Sequence, residues 1–158
     1  SPSLTSDETT NWKTYTNTKY KVSFKYPSNL LVIDTNSENY KIFFVRNEAE
    51  KLKVEKCLQQ IECYSYPLGI DFKILPKSMN KSLEDIVKED RHESQLNMSP
   101  ITIDGFSGLQ DEFSGIGIVH NVYLDKKETV FHIFANAIED SKENISLYKK
   151  MLSTFKFL

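Results

Sequence analysis

The sequence predicts an α+β fold in which a mainly antiparallel β-sheet is flanked by helices. Most segments alternate apolar and polar side chains with a period of two, which is typical of strands that bury one face. Two segments in the second half instead repeat apolar residues at helical spacing. The connections between neighbouring strands are short enough for hairpins, so we expect antiparallel pairing with helices packed on the apolar faces of the sheet.

Length and composition favour one soluble domain. The chain has 158 residues, of which 39% are apolar and 27% are charged. This is enough for one domain with a hydrophobic core but hardly for two domains. The net charge is −2 and no basic stripe is present, which argues against a nucleic-acid partner. No apolar run is long enough to cross a bilayer.

The first eleven residues differ in composition from the rest. They contain one large apolar side chain, Leu4, and we expect residues 1–11 to form a flexible polar tether ahead of a single domain at 12–158. The chain lacks an initiator Met, and a polar Ser/Thr stretch is common after an export signal or a lipidated cysteine. We therefore expect an extracytoplasmic protein, associated with the cell envelope or secreted, that meets a membrane only through an N-terminal anchor. The alternative is an artificial chain end.

The strands of the first half are short and aromatic. The clearest is Tyr20–Tyr26, in which alternate side chains form one apolar face, and Pro27 ends it. Phe43 is an exception, because it breaks the face set by Ile42 and Phe44. The predicted strands are 12–15, 20–26, 30–33, 40–45 and 69–75, with a turn at 34–39.

Residues 47–66 are predicted to be an insertion with a partial helix at 48–58. Cys57 and Cys63 lie here, separated by five residues, whereas metal sites prefer tighter pairs with further ligands nearby. Together with the export interpretation, this favours a disulfide; the alternative is two free thiols in a cytosolic protein. Tyr64 and Tyr66 flank the second cysteine and make the pinned loop a possible recognition surface. The alternative is that both tyrosines pack over the edge of the sheet.

The second half holds both clear helices. Ser82 is predicted to cap the first, with Asp85 three residues later as a capping-box partner, and this helix ends near His92. The last helix opens at Asp140 or Ser141. A short aromatic strand then closes the chain. The predicted strands between the helices are 101–103, 108–113, 116–124 and 129–137.

His120 and His132 are the best candidates for a site. If the loop between their strands is the three residues 125–127, the two histidines lie opposite each other on one face, where they could share a metal ion. No third or fourth ligand is identifiable, so the sequence predicts no metal site and no cofactor. The alternative is a pair of partly buried structural histidines, and a two-residue turn would place them on opposite faces.

No motif commits the chain to catalysis. The stretch F-S-G-I-G lacks the leading glycine of a nucleophile elbow, and no glycine-rich phosphate loop is present. Neither cysteine has a histidine nearby in the sequence. We therefore predict that the protein is not an enzyme.

Motifs at both ends of the domain resemble those of the PsbP-like family, whose fold is shared with Mog-type and DcrB-like proteins. They are Y-x-V-S-F-x-Y-P-S near the start, an I-D-G turn past the middle, a V-Y-L hairpin and a closing Y-K-K-M-L-S-T-F-K-F. The resemblance covers about residues 12–158. The matching positions are Tyr20, Phe24, Tyr26, Pro27, Ser28, Asp104, Gly105, Ser153, Thr154, Phe155 and Phe157.

The resemblance implies an antiparallel sheet sandwiched by helices, usually outside the cytoplasm. It also implies a non-catalytic binding or assembly module with a protein partner. The chain departs from the photosynthetic branch, because it has no match to the functional N-terminal segment of that branch, and the segment 47–66 is not a feature of the family. The alternatives are a small-ligand or metal-binding protein, a secretion chaperone of the same fold, and an enzyme of unrecognised type.

Overall fold

The computed structural model describes residues 8–35 and 41–158, which contain three helices and ten strands. The predicted α+β class is confirmed, and no helix of the described residues is long and apolar enough to cross a membrane. The elements are β1 Lys13–Asn17, β2 Val22–Tyr26, β3 Leu31–Asp34, β4 Lys41–Val45, α1 Glu48–Cys57, β5 Leu68–Pro76, α2 Leu83–Arg91, β6 Ser99–Ile103, β7 Phe106–Gly115, β8 Gly117–Asp125, β9 Thr129–Ala137, α3 Ser141–Leu152 and β10 Lys156–Phe157.

The strands form two antiparallel sheets. The large sheet has seven strands in the order β3-β4-β5-β9-β8-β7-β6, and the small sheet has three in the order β1-β2-β10. In the small sheet the first strand motif meets the last, because Phe157 of β10 pairs with Val22 of β2. The motifs that begin and end the domain are therefore neighbours in space.

The main core lies between the small sheet with α3 on one side and the large sheet on the other. Phe24 of β2 stacks on Phe155 after α3 with ring centroids 4.6 Å apart and planes 4° from parallel, and its ring also contacts Tyr15 and Phe44. Side chains from Tyr15 to Phe155 contribute to this one cluster. We call the surface of the large sheet that it covers the α3 face.

The opposite surface of the large sheet, here called the α1/α2 face, is covered by the other two helices. Phe43 and Val45 point to this face and pack with Val54 of α1, which explains why Phe43 breaks the face of its neighbours. Under α2 lies a second cluster, formed by Leu75, Leu83, Ile86, Val87, Tyr123 and Val130. Because both surfaces of the sheet carry buried apolar side chains, helices pack on both, as the resemblance implies.

Local signals set the helix ends. The Ser82 side chain accepts from the backbone N–H of Asp85, whose carboxylate accepts in return from the N–H of Ser82, so the predicted capping box is confirmed. His92 ends α2 in the left-handed conformation at φ 56°. Asn47 caps α1 by accepting from the N–H of Glu50, and α1 is a full helix rather than a partial one.

Two parts of the sequence-based organisation fall wholly or partly on residues that the structure does not describe. Residues 1–7 of the predicted tether lie outside the described ranges, as do residues 36–39 of the predicted turn. Among the last residues of the tether, Thr9 is buried and its carbonyl accepts from the N–H of Trp12. The division into a tether and a single domain stays a prediction.

Candidate functional site

The register between β8 and β9 places the two central histidines on opposite faces of the large sheet. His132 pairs with Tyr123 and His120 pairs with Ala135, so the expectation that the histidines share a face is wrong. The turn is shorter than the three residues 125–127, because the N–H of Lys126 donates to the carbonyl of Thr129 and only residues 127 and 128 lie between this pair, as in the two-residue alternative. The residue opposite His120 is therefore Ala135 instead of the expected His132, a shift of three positions along β9. Side chains of a strand alternate between faces, so a shift by an odd number places His132 on the other face.

His132 lies on the α1/α2 face, at the centre of a polar network. Its Nε2 is 2.9 Å from Oδ1 of Asn121, its Nδ1 is 4.0 Å from Oδ2 of Asp90, and its ring stacks on Tyr123 at 4.0 Å. Asp90 accepts from the Tyr123 hydroxyl and from Nζ of Lys73, each at 2.9 Å. This carboxylate from α2 thus joins three strand residues and ties the helix to the sheet.

The network continues to the neighbouring strand β7. The amide of Asn121 donates to Oδ1 of Asp111 at 3.2 Å, and the other oxygen of Asp111 lies 2.7 Å from the guanidinium of Arg91. Arg91 also contacts Glu93 at 3.3 Å. Because the Asn121 amide nitrogen donates to Asp111, its oxygen accepts from Nε2–H of neutral His132.

Burial controls the protonation of this network. Burial lowers the pKa of His132 to about 4, against the attraction of the Asp90 carboxylate. Burial by itself would raise the pKa of Asp90, but hydrogen bonds from Lys73 and Tyr123 outweigh it and the pKa is lowered. At neutral pH the pair is therefore a neutral imidazole beside a carboxylate.

His120 lies on the α3 face and is buried, whereas His132 is partly buried. Its Nε2 is 3.0 Å from Oε1 of Gln110, and its ring makes an edge contact with Tyr148 of α3. Burial, with the repulsion of Lys149, lowers the pKa of His120 to about 4. Within the described residues, Nδ1 of His120 and the Tyr148 hydroxyl are buried without a hydrogen-bond partner.

The lowered pKa of His132 makes the free energy of unfolding depend on pH. The unfolded chain binds protons at its ordinary histidine pKa of 6.5, whereas folded His132 resists protonation down to about pH 4. The contribution of His132 to stability is therefore full above pH 6.5 and is lost as the pH falls towards 4. The difference in unfolding free energy between wild type and His132→Gln should fall by roughly 2–3 kcal/mol over this range.

Urea unfolding at a series of pH values, followed by circular dichroism, measures this difference. Burial also raises the pKa of Asp71 to about 6, so protonation of Asp71 raises the stability of the folded protein over the same pH range. Both proteins contain Asp71, so its effect cancels when their unfolding free energies are subtracted. A difference that stays constant between pH 6.5 and 4 would show that His132 is not held neutral by burial.

The arrangement does not bring metal ligands together. No group of three or more His, Cys, Asp or Glu side chains that could hold a metal ion occurs among the residues that the structure describes. His120 and His132 point to different faces, so they cannot bind one ion jointly.

Cys57 and Cys63 are joined in a disulfide, with their Cα atoms 5.3 Å apart. Cys57 is the last residue of α1, and Cys63 packs against the cluster beneath that helix. The five residues between them form a closed loop, on which Ile61 is fully exposed. The bridge thus fixes both ends of the loop against the body of the protein.

The two tyrosines after this loop differ in their surroundings. Tyr64 is half exposed, whereas Tyr66 is buried and its ring packs edge-on against Phe43 at 4.8 Å. Burial raises the pKa of Tyr66 to about 12. Tyr66 therefore belongs to the core under α1, and the part of the predicted recognition loop that faces solvent is Tyr64 with Ile61.

The sequence pattern did not reveal the partners of His132. Asp90, Arg91 and Asp111 lie on other elements, where each resembles an ordinary surface charge of a helix or strand. A signal was nevertheless present in Asn121. An amide inside the otherwise apolar run of β8 must find hydrogen-bond partners, which points to neighbouring polar side chains on the same face.

Comparison with known proteins identifies the fold. No protein-family model matches the sequence, and a search of curated proteins finds no match. A solution structure of cyanobacterial PsbP (CyanoP) from Synechocystis has a TM-score of 0.53 at 15% identity and covers 99% of this chain and 98% of that one. This likeness, over nearly the whole of both chains, shows that the protein has the fold of PsbP, as the resemblance predicts.

Two further solved structures are similar. A crystal structure from Bacteroides thetaiotaomicron has a TM-score of 0.56 at 10% identity; it covers 94% of this chain, which spans only 49% of that longer one. The Saccharomyces cerevisiae Ran-binding protein Mog1p has a TM-score of 0.43 at 10% identity and covers 93% of this chain and 95% of that one.

Proposed function

We propose that this protein is a non-catalytic binding or assembly module that acts outside the cytoplasm and recognises a protein partner. The observation that carries the proposal is the loop closed by Cys57 and Cys63, which presents a fully exposed Ile61. Burying an isoleucine contributes about 1.5–3 kcal/mol, so a pocket on a partner that receives Ile61 gains substantial affinity.

The closed loop suits recognition because little freedom is left to lose. The disulfide constrains five residues, and one of its cysteines ends a helix while the other packs on the core, so the loop needs little ordering on binding. Tyr64 adds a half-exposed aromatic side chain directly after the bridge. Tyrosine is one of the residues that are enriched at protein interfaces.

Two features support the location and the absence of catalysis. Disulfides persist in oxidising compartments and are rare in the cytosol, which favours a protein outside the cytoplasm. Both cysteines are used in the bridge, and within the described residues His120 and His132 each bond to an amide side chain rather than to a nucleophile. The sequence also contains no nucleophile-elbow motif and no glycine-rich phosphate loop.

The test is a quantitative capture experiment. Wild type, Ile61→Ser and Met79→Ser proteins are immobilised, incubated with an envelope extract of the source organism and analysed by mass spectrometry. Met79 is the matched control because it is also fully exposed but lies outside the closed loop. We expect wild type to enrich a partner protein, and we expect Ile61→Ser to lower the recovery of that partner at least about tenfold. A loss of this size corresponds to removal of an interface anchor.

The control variant and the disulfide give the opposing outcomes. Met79→Ser should recover the partner as wild type does, and a Cys57→Ser/Cys63→Ser protein should recover less of it because the loop is no longer closed. Equal recovery by wild type and Ile61→Ser would contradict the role of the loop. Failure of any protein to be enriched over a blank surface would contradict the binding function itself.

A further inference from the structure

An open cavity of about 610 Å³ lies beside the polar network, on the α1/α2 face. Its walls come from the segment that follows α2 and from the paired strands β7 and β8. The cavity is not part of the disulfide loop, and the network of His132 forms one side of it through Asn121 and Tyr123. Its volume is in the range that small ligands occupy.

The lining offers hydrogen-bonding groups of both kinds. The side chains of Gln95 and Asn97 face the cavity, are exposed, and make no hydrogen bond within the described part of the chain. Each amide presents both donors and an acceptor. Asp111 and Asn121 are held in place by Arg91 and His132, so this part of the lining is fixed before a ligand arrives.

An aromatic ring stands at the edge of this polar lining. Phe113 lines the cavity and is 48% exposed, although it lies on a paired strand only two residues from the fixed carboxylate of Asp111. An exposed phenyl ring beside a polar groove provides an apolar platform. A ligand that fits must therefore have an apolar face as well as several hydroxyl or amide groups.

The charges of the lining disfavour anionic ligands and metal cations. Glu93 and Asp111 both contact Arg91, and Glu112 lies 2.6 Å from Lys149. The guanidinium is thus neutralised by carboxylates, which disfavours a phosphate or another anion. The carboxylates are in turn compensated by Arg91 and Lys149, which disfavours a metal cation, while their remaining lone pairs can still accept hydrogen bonds.

We propose that this cavity binds a neutral saccharide. A pyranose ring carries C–H groups on one face, which would pack on Phe113, and hydroxyl groups at its edge that both donate and accept hydrogen bonds. The amides of Gln95 and Asn97 and the fixed Asp111 match such hydroxyls, because each can accept, and the amides can also donate. The cavity volume suits one or two sugar rings.

The test is a titration of the purified ¹⁵N-labelled protein, followed by two-dimensional NMR. The probes are glucose, galactose, mannose, N-acetylglucosamine and the disaccharides cellobiose and maltose, each up to about 50 mM, which detects dissociation constants in the millimolar range. We expect at least one probe to shift the side-chain amide signals of Gln95 and Asn97 in a saturable manner. The backbone signals of residues 111–113 should move with them.

Two matched variants decide the role of the ring. Phe113→Ser should weaken the binding of that probe at least about tenfold, a loss of the size expected for removing an apolar contact. Ile116→Ser, at the tip of the same hairpin and outside the cavity, should bind as wild type does. Circular dichroism establishes that both variants are folded.

The opposite results are equally clear. If no probe shifts these signals in a saturable manner, or if Phe113→Ser binds as tightly as wild type, the saccharide site is refuted. The titration uses the isolated protein and leaves Ile61 unchanged, so its failure does not bear on recognition of a protein partner, and the reverse also holds.

Discussion

Replacing Phe24 by alanine is expected to lower the free energy of unfolding by about 3–5 kcal/mol, the cost of removing a buried phenyl ring and leaving a cavity. Phe24 is 1% exposed and stacks on Phe155, so it joins the first motif of the chain to the last. Its ring also contacts Tyr15 and Phe44, which come from the small and large sheets respectively. The loss therefore falls where the two sheets and α3 meet.

Urea unfolding monitored by circular dichroism measures this change. Phe113→Ala is the matched control, because the same side chain is removed from a position that is half exposed, and we expect a loss of less than about 1 kcal/mol. If both substitutions cost the same, the junction of Phe24 and Phe155 is not the centre of the core. A destabilisation of Phe24→Ala below about 1 kcal/mol would lead to the same conclusion.

Replacing Gly117 by alanine is expected to cost at least about 2 kcal/mol, because two penalties coincide there. Gly117 has φ 80°, in the left-handed region that disfavours residues with a Cβ. A Cβ at this position would also overlap the carbonyl oxygen of Ala137 and lie 2.9 Å from Cα of Ile138. These are backbone atoms of the last residue of β9 and of the residue that follows it, so the conflict can be relieved only by moving the end of β9.

Gly115 is a control on the same hairpin. It pairs with Gly117 across the turn, its φ is not positive, and a Cβ there would have no heavy atom within 4 Å. Gly115→Ala should therefore change the melting temperature little, whereas Gly117→Ala should lower it clearly. Equal melting temperatures for the two variants would contradict the requirement for glycine at position 117.

Much of the secondary structure could be predicted because its causes are local. The alternation of β9 predicts its span of Thr129–Ala137, and the capping box at Ser82 and Asp85 places the start of α2. Both signals depend on residues within a few positions of one another. The motifs at the two ends of the chain likewise predicted the PsbP fold.

The faces of the strands were harder to predict. The face of His120 relative to His132 depends on the number of residues in the β8–β9 turn, and an error of one residue reverses it. Tyr66 looks like a loop residue in the sequence, but α1 and Phe43 cover it. Phe43 and most of α1 are several to many residues away from Tyr66 in the sequence, so the composition around Tyr66 does not indicate that it is buried.

The candidate sites show the same division. The bridge of Cys57 and Cys63 agrees with the disulfide that the sequence favoured over a metal site, and of the two readings left open for the tyrosines, Tyr64 is exposed whereas Tyr66 is packed. The contact of Asp90 with Tyr123 joins residues 33 positions apart, and the cavity beside Phe113 needs three separate segments. No local pattern specifies such a combination.

By itself the sequence determined the fold class, the position of most elements to within about two residues at each end, and the resemblance of the first and last motifs to PsbP. Hydrophobic periodicity, helix capping and turn residues depend on side chains that are close together in the sequence, so they can be recognised without the tertiary structure. Only the tertiary structure decided which face each histidine occupies, which tyrosine meets solvent, and where amides and an aromatic ring line one cavity. These outcomes depend on strand register and on packing between distant elements, whose energies arise only when the chain has folded.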